Sequence, residues 1–298
     1  MKDARTTSII ITSLFLSVLV MMPFACAVPV IDTGNPPYEE WPQGTVENSV
    51  KVSNLRESGC TISWITDVPS SSRVDVYSDA AGTIPVDGSP FTTNYFGVSS
   101  TKHYVNVDSS TIVNAAGGTT FYFKVTSSDG TEDVAPSAGA LYTFRRASDT
   151  PSPKGNICGM VYSDPGPTNP VNGVIVYVNC TNKNSALLSI ISGDPSVGVD
   201  GGWMFDVSAF RNMDGTLLTI TAGDTLVAEA WGAELGNATT GDYTYQGNPG
   251  GNDEFLPDMI LSSAPLGIPV AIPEFSQIIL PIVGVIIFVF ATAYVRRK

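Results

Sequence analysis

Residues 59–77 read GCTISWITDVPSSSRVDVY, and the period of this stretch decides the fold. Cys60, Ile62 and Trp64 point one way, while Thr61 and Ser63 point the other. Alternation with a period of two marks a strand that turns one face into a core. The end of the stretch, SRVDVY (72–77), adds a second strand. Further out lie VKVSNL (50–55), HYVNV (103–107), TTFYFKVTSSDG (119–130) and LYTF (141–144). In the longest of these, Phe121, Phe123 and Val125 share a face opposite Tyr122 and Lys124. Short strands at this density, one with a central tryptophan, predict two packed sheets with Trp64 between them.

The expected fold is therefore all-β, and this first segment (46–147) reads as an immunoglobulin-like sandwich. It is similar to a fibronectin type III domain: TISWITDVPSSSRVDVY matches the second and third strands of that family, and GGTTFYFKV (117–125) matches the sixth. Phe121 stands where the family usually has tyrosine, and Ala115 where a larger apolar residue is common. The resemblance thus implies a looser corner. The TDVPSSSRV stretch also resembles the sandwich that precedes the catalytic domain of some metallophosphatases. Such a domain would need several His and Asp ligands downstream, and the chain has one histidine, His103.

A second segment (155–262) begins GNICGMVYSDPGPTNPVNGVIVYVNCTN. It resembles the carboxypeptidase-regulatory or transthyretin-like sandwich, with Gly159, Val161, Asp164, Pro170, Val171, Gly173, Val174 and Val176 at matching places. VDGGWMFDVS (199–208) and GDTLVAEAWG (223–232) resemble later strands of that family. An invasin-like or other immunoglobulin-type sandwich fits nearly as well. The family's role is usually spacing, adhesion or polymer contact, without catalytic residues. Linkers are expected at 28–45, 148–154 and 263–271, where proline, serine and glycine gather.

The 298 residues carry a formal charge of -13, with 28 Gly and 21 Pro. Between Val28 and Val295 only ten Lys and Arg occur, scattered apart from Arg145-Arg146. No basic stripe exists to neutralise phosphates, so nucleic acid is excluded as a partner.

Both ends read as targeting segments. Lys2 and Arg5 precede an apolar run from Ile9 to Met22, and Ala25-Cys26-Ala27 supplies small residues for cleavage, which predicts a signal peptide over 1–27. Residues 278–295 carry no charge, and their 18 positions reach roughly 27 Å as a helix, near a bilayer's apolar thickness. Arg296, Arg297 and Lys298 follow as a cytoplasmic stop. This orientation places the rest of the chain outside the cell. Pro273-Glu274-Phe275, an apolar helix and a basic end together (272–298) resemble the PEF-CTERM sorting signal of archaeal surface proteins. The resemblance implies a lipid membrane and an archaeosortase-type processing enzyme as partners.

Among the remaining chemistry-bearing residues, Cys158 and Cys180 are a candidate disulfide in an exported chain. The strand phase objects, because Val174, Val176, Val178 and Cys180 share a face while Ile157 and Val161 turn Cys158 outward. Asn179 and Asn237 head N-x-T sequons and are candidate glycosylation sites; Asn179 falls on the outward phase of its strand. Asp253, Glu254 and Asp258 are weak calcium candidates, short of the roughly six to eight oxygens calcium takes. No nucleophile elbow, zinc-binding helix, CxxC or phosphate loop occurs. His103 reads as a strand residue rather than a general base. The sequence thus predicts a non-enzymatic, cofactor-free, membrane-anchored surface protein with an adhesive, structural or partner-presenting role, with other envelope proteins or glycans as its contacts. The rival expectations are a module that binds glycan, peptide or calcium, and an accessory module of a surface enzyme.

Overall fold

The computed structural model describes residues 50–136, 140–166, 168–232, 236–248 and 253–261. The signal-peptide segment, the leader, the sorting motif, the 278–295 helix and the basic end lie outside the described residues. Among those described, no helix is long and apolar enough to cross a membrane.

The chain is all-β. Its first half contains β1 (Lys51–Ser53), β2 (Gly59–Ser70), β3 (Arg73–Tyr77), β4 (Ser100–Asp108), β5 (Thr120–Ser128), β6 (Glu132–Ala135) and β7 (Tyr142–Arg145), with one short helix, α1 (Ser110–Val113), before β5. One sheet has the order β1-β2-β4; the other has β3-β5-β6, with β7 also pairing β5. The core between them draws Cys60, Ile62 and Trp64 from β2, Val105 and Val107 from β4, and Phe121, Phe123 and Val125 from β5. In β2 and β5 these are the inward phases read from the alternation. Gly59 opens β2 where the backbones nearly touch: a Cβ there would sit 1.9 Å from the Val107 carbonyl oxygen. The corner before β5 is tied by Arg146, a residue the sequence reading left unused. Its buried guanidinium donates to the carbonyls of Ile112 (2.9 Å) and Val113 (3.1 Å) and so satisfies the end of α1.

The second half contains β8 (Asn156–Tyr162), β9 (Ile175–Cys180), β10 (Leu188–Ile191), β11 (Gly202–Asp206), β12 (Thr225–Trp231), β13 (Asn237–Thr239), β14 (Tyr243–Thr244), β15 (Glu254–Phe255) and β16 (Met259–Ile260). Here the sheets run β10-β9-β12-β13, with β14 on β12, and β11-β8-β15, with β16 on β8. β15 and β16 pair β8 in parallel, which closes the end of the chain against its first strand. Val174, Val176, Val178 and Cys180, with Leu226 beside Cys180 on β12, share this core with Trp203 and Phe210. Gly159 lies against the Trp203 ring, 2.5 Å from where its Cβ would be, so no larger residue fits beneath that indole.

The two halves are not beads on a linker. Ile65 and Tyr104 on the far face of β1-β2-β4 pack with Ile175, Tyr177, Ile191 and Trp231 on the far face of β10-β9-β12. Around this apolar patch the hydroxyls pair across the boundary. Ser53 meets Ser189 at 2.6 Å, Ser63 meets Tyr177 at 2.7 Å, and Tyr104 donates to the Ser189 carbonyl at 3.0 Å. Lys51 lies over the Trp231 ring, 4.2 Å from its centroid. The Asn54 amide donates to the Leu187 carbonyl, beside a parallel bridge from Ser53 to Leu187. The result is four sheets stacked side by side, with three apolar layers between them. Thr61 and Ser63, on the polar phase of β2, are thereby fully buried. Hydroxyls tolerate this because each burial is matched by a hydrogen bond.

Candidate functional surface

His103, the single imidazole, sits at 4.7 Å from the Trp64 ring in a near-parallel stack. The last residues of β2 and the turn after it wrap the imidazole in hydroxyls: Nε2 bonds Thr66 at 2.9 Å, and Nδ1 bonds Ser72 at 2.7 Å. A Ser–His contact exists, but the ring is wholly enclosed. Burial pushes its pKa down to about 3, so it is held neutral with both nitrogens occupied. A base of that pKa, with no path to substrate, is matched to packing and not to proton transfer near neutral pH.

The three calcium candidates are drawn apart by different tasks. Glu254 is buried, and its carboxylate accepts from the Tyr243 hydroxyl (3.0 Å) and from the amides of Gln246 (2.5 Å) and Asn248 (3.0 Å). It is a clamp that closes the β14–β15 turn. Asp253 accepts from the Asn156 side chain at 2.9 Å, and Asp258 is exposed. Among the described residues no group of His, Cys, Asp and Glu is arranged to hold a metal ion. The same clamp settles the neighbouring tyrosines: Tyr243 is half-buried and Tyr245 is in the core, on a sheet edge.

Cys158 and Cys180 are free thiols, as is Cys60, so the candidate disulfide is corrected. The two cysteines lie on opposite sheets. Cys180 faces the core, while Cys158 turns away from it and contacts the Glu254 carbonyl oxygen at 3.7 Å. Burial raises both thiols to about 11. Asn179 is also corrected as a glycan acceptor. It does fall on the outward phase of β9, but it is buried there, and its Oδ1 has no partner. The outward face of β9 is the seam, not solvent. Asn237 is half-buried on β13, with a buried Oδ1.

The outermost face of the β3-β5-β7 sheet is the surface the sequence reading passed over. Cross-strand register sets Tyr77 beside Tyr122 and Tyr122 beside Thr143. Lys124 and Thr120 flank Tyr122 on the same face of β5, and Arg145 lies opposite Thr120. Asp75, opposite Lys124, is taken up by Arg73 through bonds of 3.0 and 2.8 Å. Their alternation with Phe121, Phe123 and Val125 already placed these residues away from the core; their shared role shows only once β3 and β7 are laid beside β5. Other apolar groups stand exposed singly, among them Val98 at 92 % on a loop tip and Phe255 at 70 % beside Cys158. No protein-family profile matches the chain, and no characterised protein sequence matches it.

Proposed function

We propose that this is a membrane-anchored cell-surface protein of archaeal type, without catalysis of its own, that presents a rigid all-β block to envelope partners. The observation that carries the reading is the seam. Ile65, Tyr104, Tyr177 and Trp231 pack at its centre, and paired hydroxyls ring them. Apolar, hydrogen-bonded contact of this kind fixes the angle between two units that a bare linker would leave free. A fixed block suits spacing and presentation. The sheet orders β1-β2-β4 and β3-β5-β6/β7 support a fibronectin type III-like sandwich in the first half. The second half fits a carboxypeptidase-regulatory or transthyretin-like sandwich, making the pair immunoglobulin-like in tandem. The sealed, neutral His103 supports a non-enzymatic role.

The location comes from the sequence of the ends. In this reading the 1–27 segment exports the chain, the 278–295 helix holds it, and Arg296, Arg297 and Lys298 stay in the cytoplasm. An archaeosortase-type enzyme then recognises Pro273-Glu274-Phe275. Intact-mass analysis of the protein from its native membrane tests this. The expected mass starts at Val28, carries no disulfide, and ends either at Lys298 or at a lipid-linked residue near the motif. A water-soluble chain with the mass of residues 1–298 would overturn it. The second reading, an extracellular ligand-binding module, is favoured by the tyrosine and cation face on β3-β5-β7.

A further inference from the structure

We propose that the outer face of the β3-β5-β7 sheet binds an anionic polysaccharide, with Tyr77 and Tyr122 under its sugar rings and Lys124 and Arg145 on its carboxylates. This names a ligand for the surface role above and rests on that reading.

Charge accounting points to this face. Of the ten cations between Val28 and Val295, Arg56, Arg73 and Lys183 are in ion pairs with Asp108, Asp75 and Asp224. Lys102 donates to the Gly173 carbonyl across the seam, while Arg146 and Arg211 are buried on backbone carbonyls. Lys51 is buried against Trp231. Lys124, Arg145 and Lys154 remain at the surface outside any ion pair with a described acid, with Arg145 acting on the Asp214 carboxylate only through space, and Lys124 and Arg145 both lie beside Tyr122. The chain's net charge is -13, so positive charge available to a partner is concentrated rather than spread. At physiological ionic strength screening acts over about 8 Å, so this local patch decides what docks.

The shape selects a polymer. The site is the outer face of a sheet, whereas small ligands are held in concave sites. Successive same-face residues on a strand are about 6.8 Å apart, which sets Lys124 and the row of Arg145 roughly 13 Å apart with Tyr122 midway. An extended chain of uronic acids presents carboxylates at intervals, with apolar ring faces between them. Lysine and arginine meet the former, and tyrosine rings, apolar with a polar tip, meet the latter. The acids beside this face are Asp75, paired with Arg73, Glu132 at the far end, opposite Ser128, and Asp214, off the sheet and within electrostatic reach of Arg145.

The test uses the full chain in detergent micelles, with polygalacturonate as probe and dextran and polyglutamate as comparisons. Polygalacturonate is expected to bind, and the double variant Lys124→Ala/Arg145→Ala to lose at least tenfold in affinity. Tyr122→Ala is expected to lose severalfold, with Tyr122→Phe close to wild type. Lys154→Ala, away from the sheet, is expected to bind unchanged. All these side chains reach the surface, so the variants keep their melting temperature, which is read alongside. Equal binding by the double variant, no binding of polygalacturonate, or equal affinity for polyglutamate would each overturn the proposal. Location is measured separately: a chain found outside the cell that ignores polygalacturonate removes this ligand alone.

Discussion

Acid is expected to destabilise the protein through His103 before the four aspartates with depressed pKa values contribute. The folded ring has a pKa of about 3 against an ordinary 6.5, because burial disfavours its charged form. The neutral ring is therefore what the fold retains. Its contribution is complete above the unfolded value and is lost as pH falls toward the folded one. Each unit is worth about 1.4 kcal/mol, so between about pH 6.5 and 4.5 the loss is about 2.3 kcal/mol, with a slope that approaches one proton below about pH 5.5. Asp79, Asp194, Asp214 and Asp224 are held below their usual 3.8, so they act beneath that window. The assay is urea unfolding followed by tryptophan fluorescence across the window, with the transition slope checked for constancy. His103→Gln keeps a donor and an acceptor for the Thr66 and Ser72 hydroxyls and cannot titrate. It is expected to be less stable near neutrality and flat with pH. A wild-type stability that stays level down to about pH 4.5, or a pH slope that survives in His103→Gln, would refute the reasoning.

Removing the ring at the centre of the seam, Trp231→Ala, is expected to cost about 3–5 kcal/mol and to split one urea transition into two, read by fluorescence and by far-ultraviolet dichroism. Glu254→Gln leaves the Gln246 and Asn248 amides facing a neutral group and is expected to cost about 1.5–3 kcal/mol, while millimolar calcium leaves the wild-type melting temperature unmoved. Thiol titration is expected to give no reaction at Cys60 in the native protein. After denaturation without reductant, three free cysteines should appear among Cys60, Cys158 and Cys180.

The alternation of Cys60, Ile62 and Trp64, and of Phe121, Phe123 and Val125, carried the sheets and their cores, because side-chain period and burial coincide wherever one face is wet. The seam was written in the same residues but under a weaker signal. Val174 to Val178 is an unbroken apolar run, and such a run marks a strand covered on both faces. Ile65 and Tyr104 sit on the phase that Thr61 and Ser63 make look solvent-bound. Hydroxyls give no warning of burial, since Ser53, Ser63 and Ser189 are satisfied by partners more than a hundred residues away in sequence. The Asn179 expectation failed for this reason: its phase was right and its surroundings were not. Glu254 was legible as an acid but not as a clamp, because two of its three donors are backbone amides, which every residue but proline carries. The binding face was hidden in part because Tyr77 and Tyr122 lie 45 residues apart and meet only through strand register.

The most direct test of the account is labelling of intact native cells with an amine reagent that cannot cross membranes. Lys154 is exposed just before β8, and Lys124 reaches the surface on β5. The account predicts that Lys154 is modified in intact cells to the same extent as in lysed ones. Modification of Lys154 only after lysis would contradict it and would place the block inside.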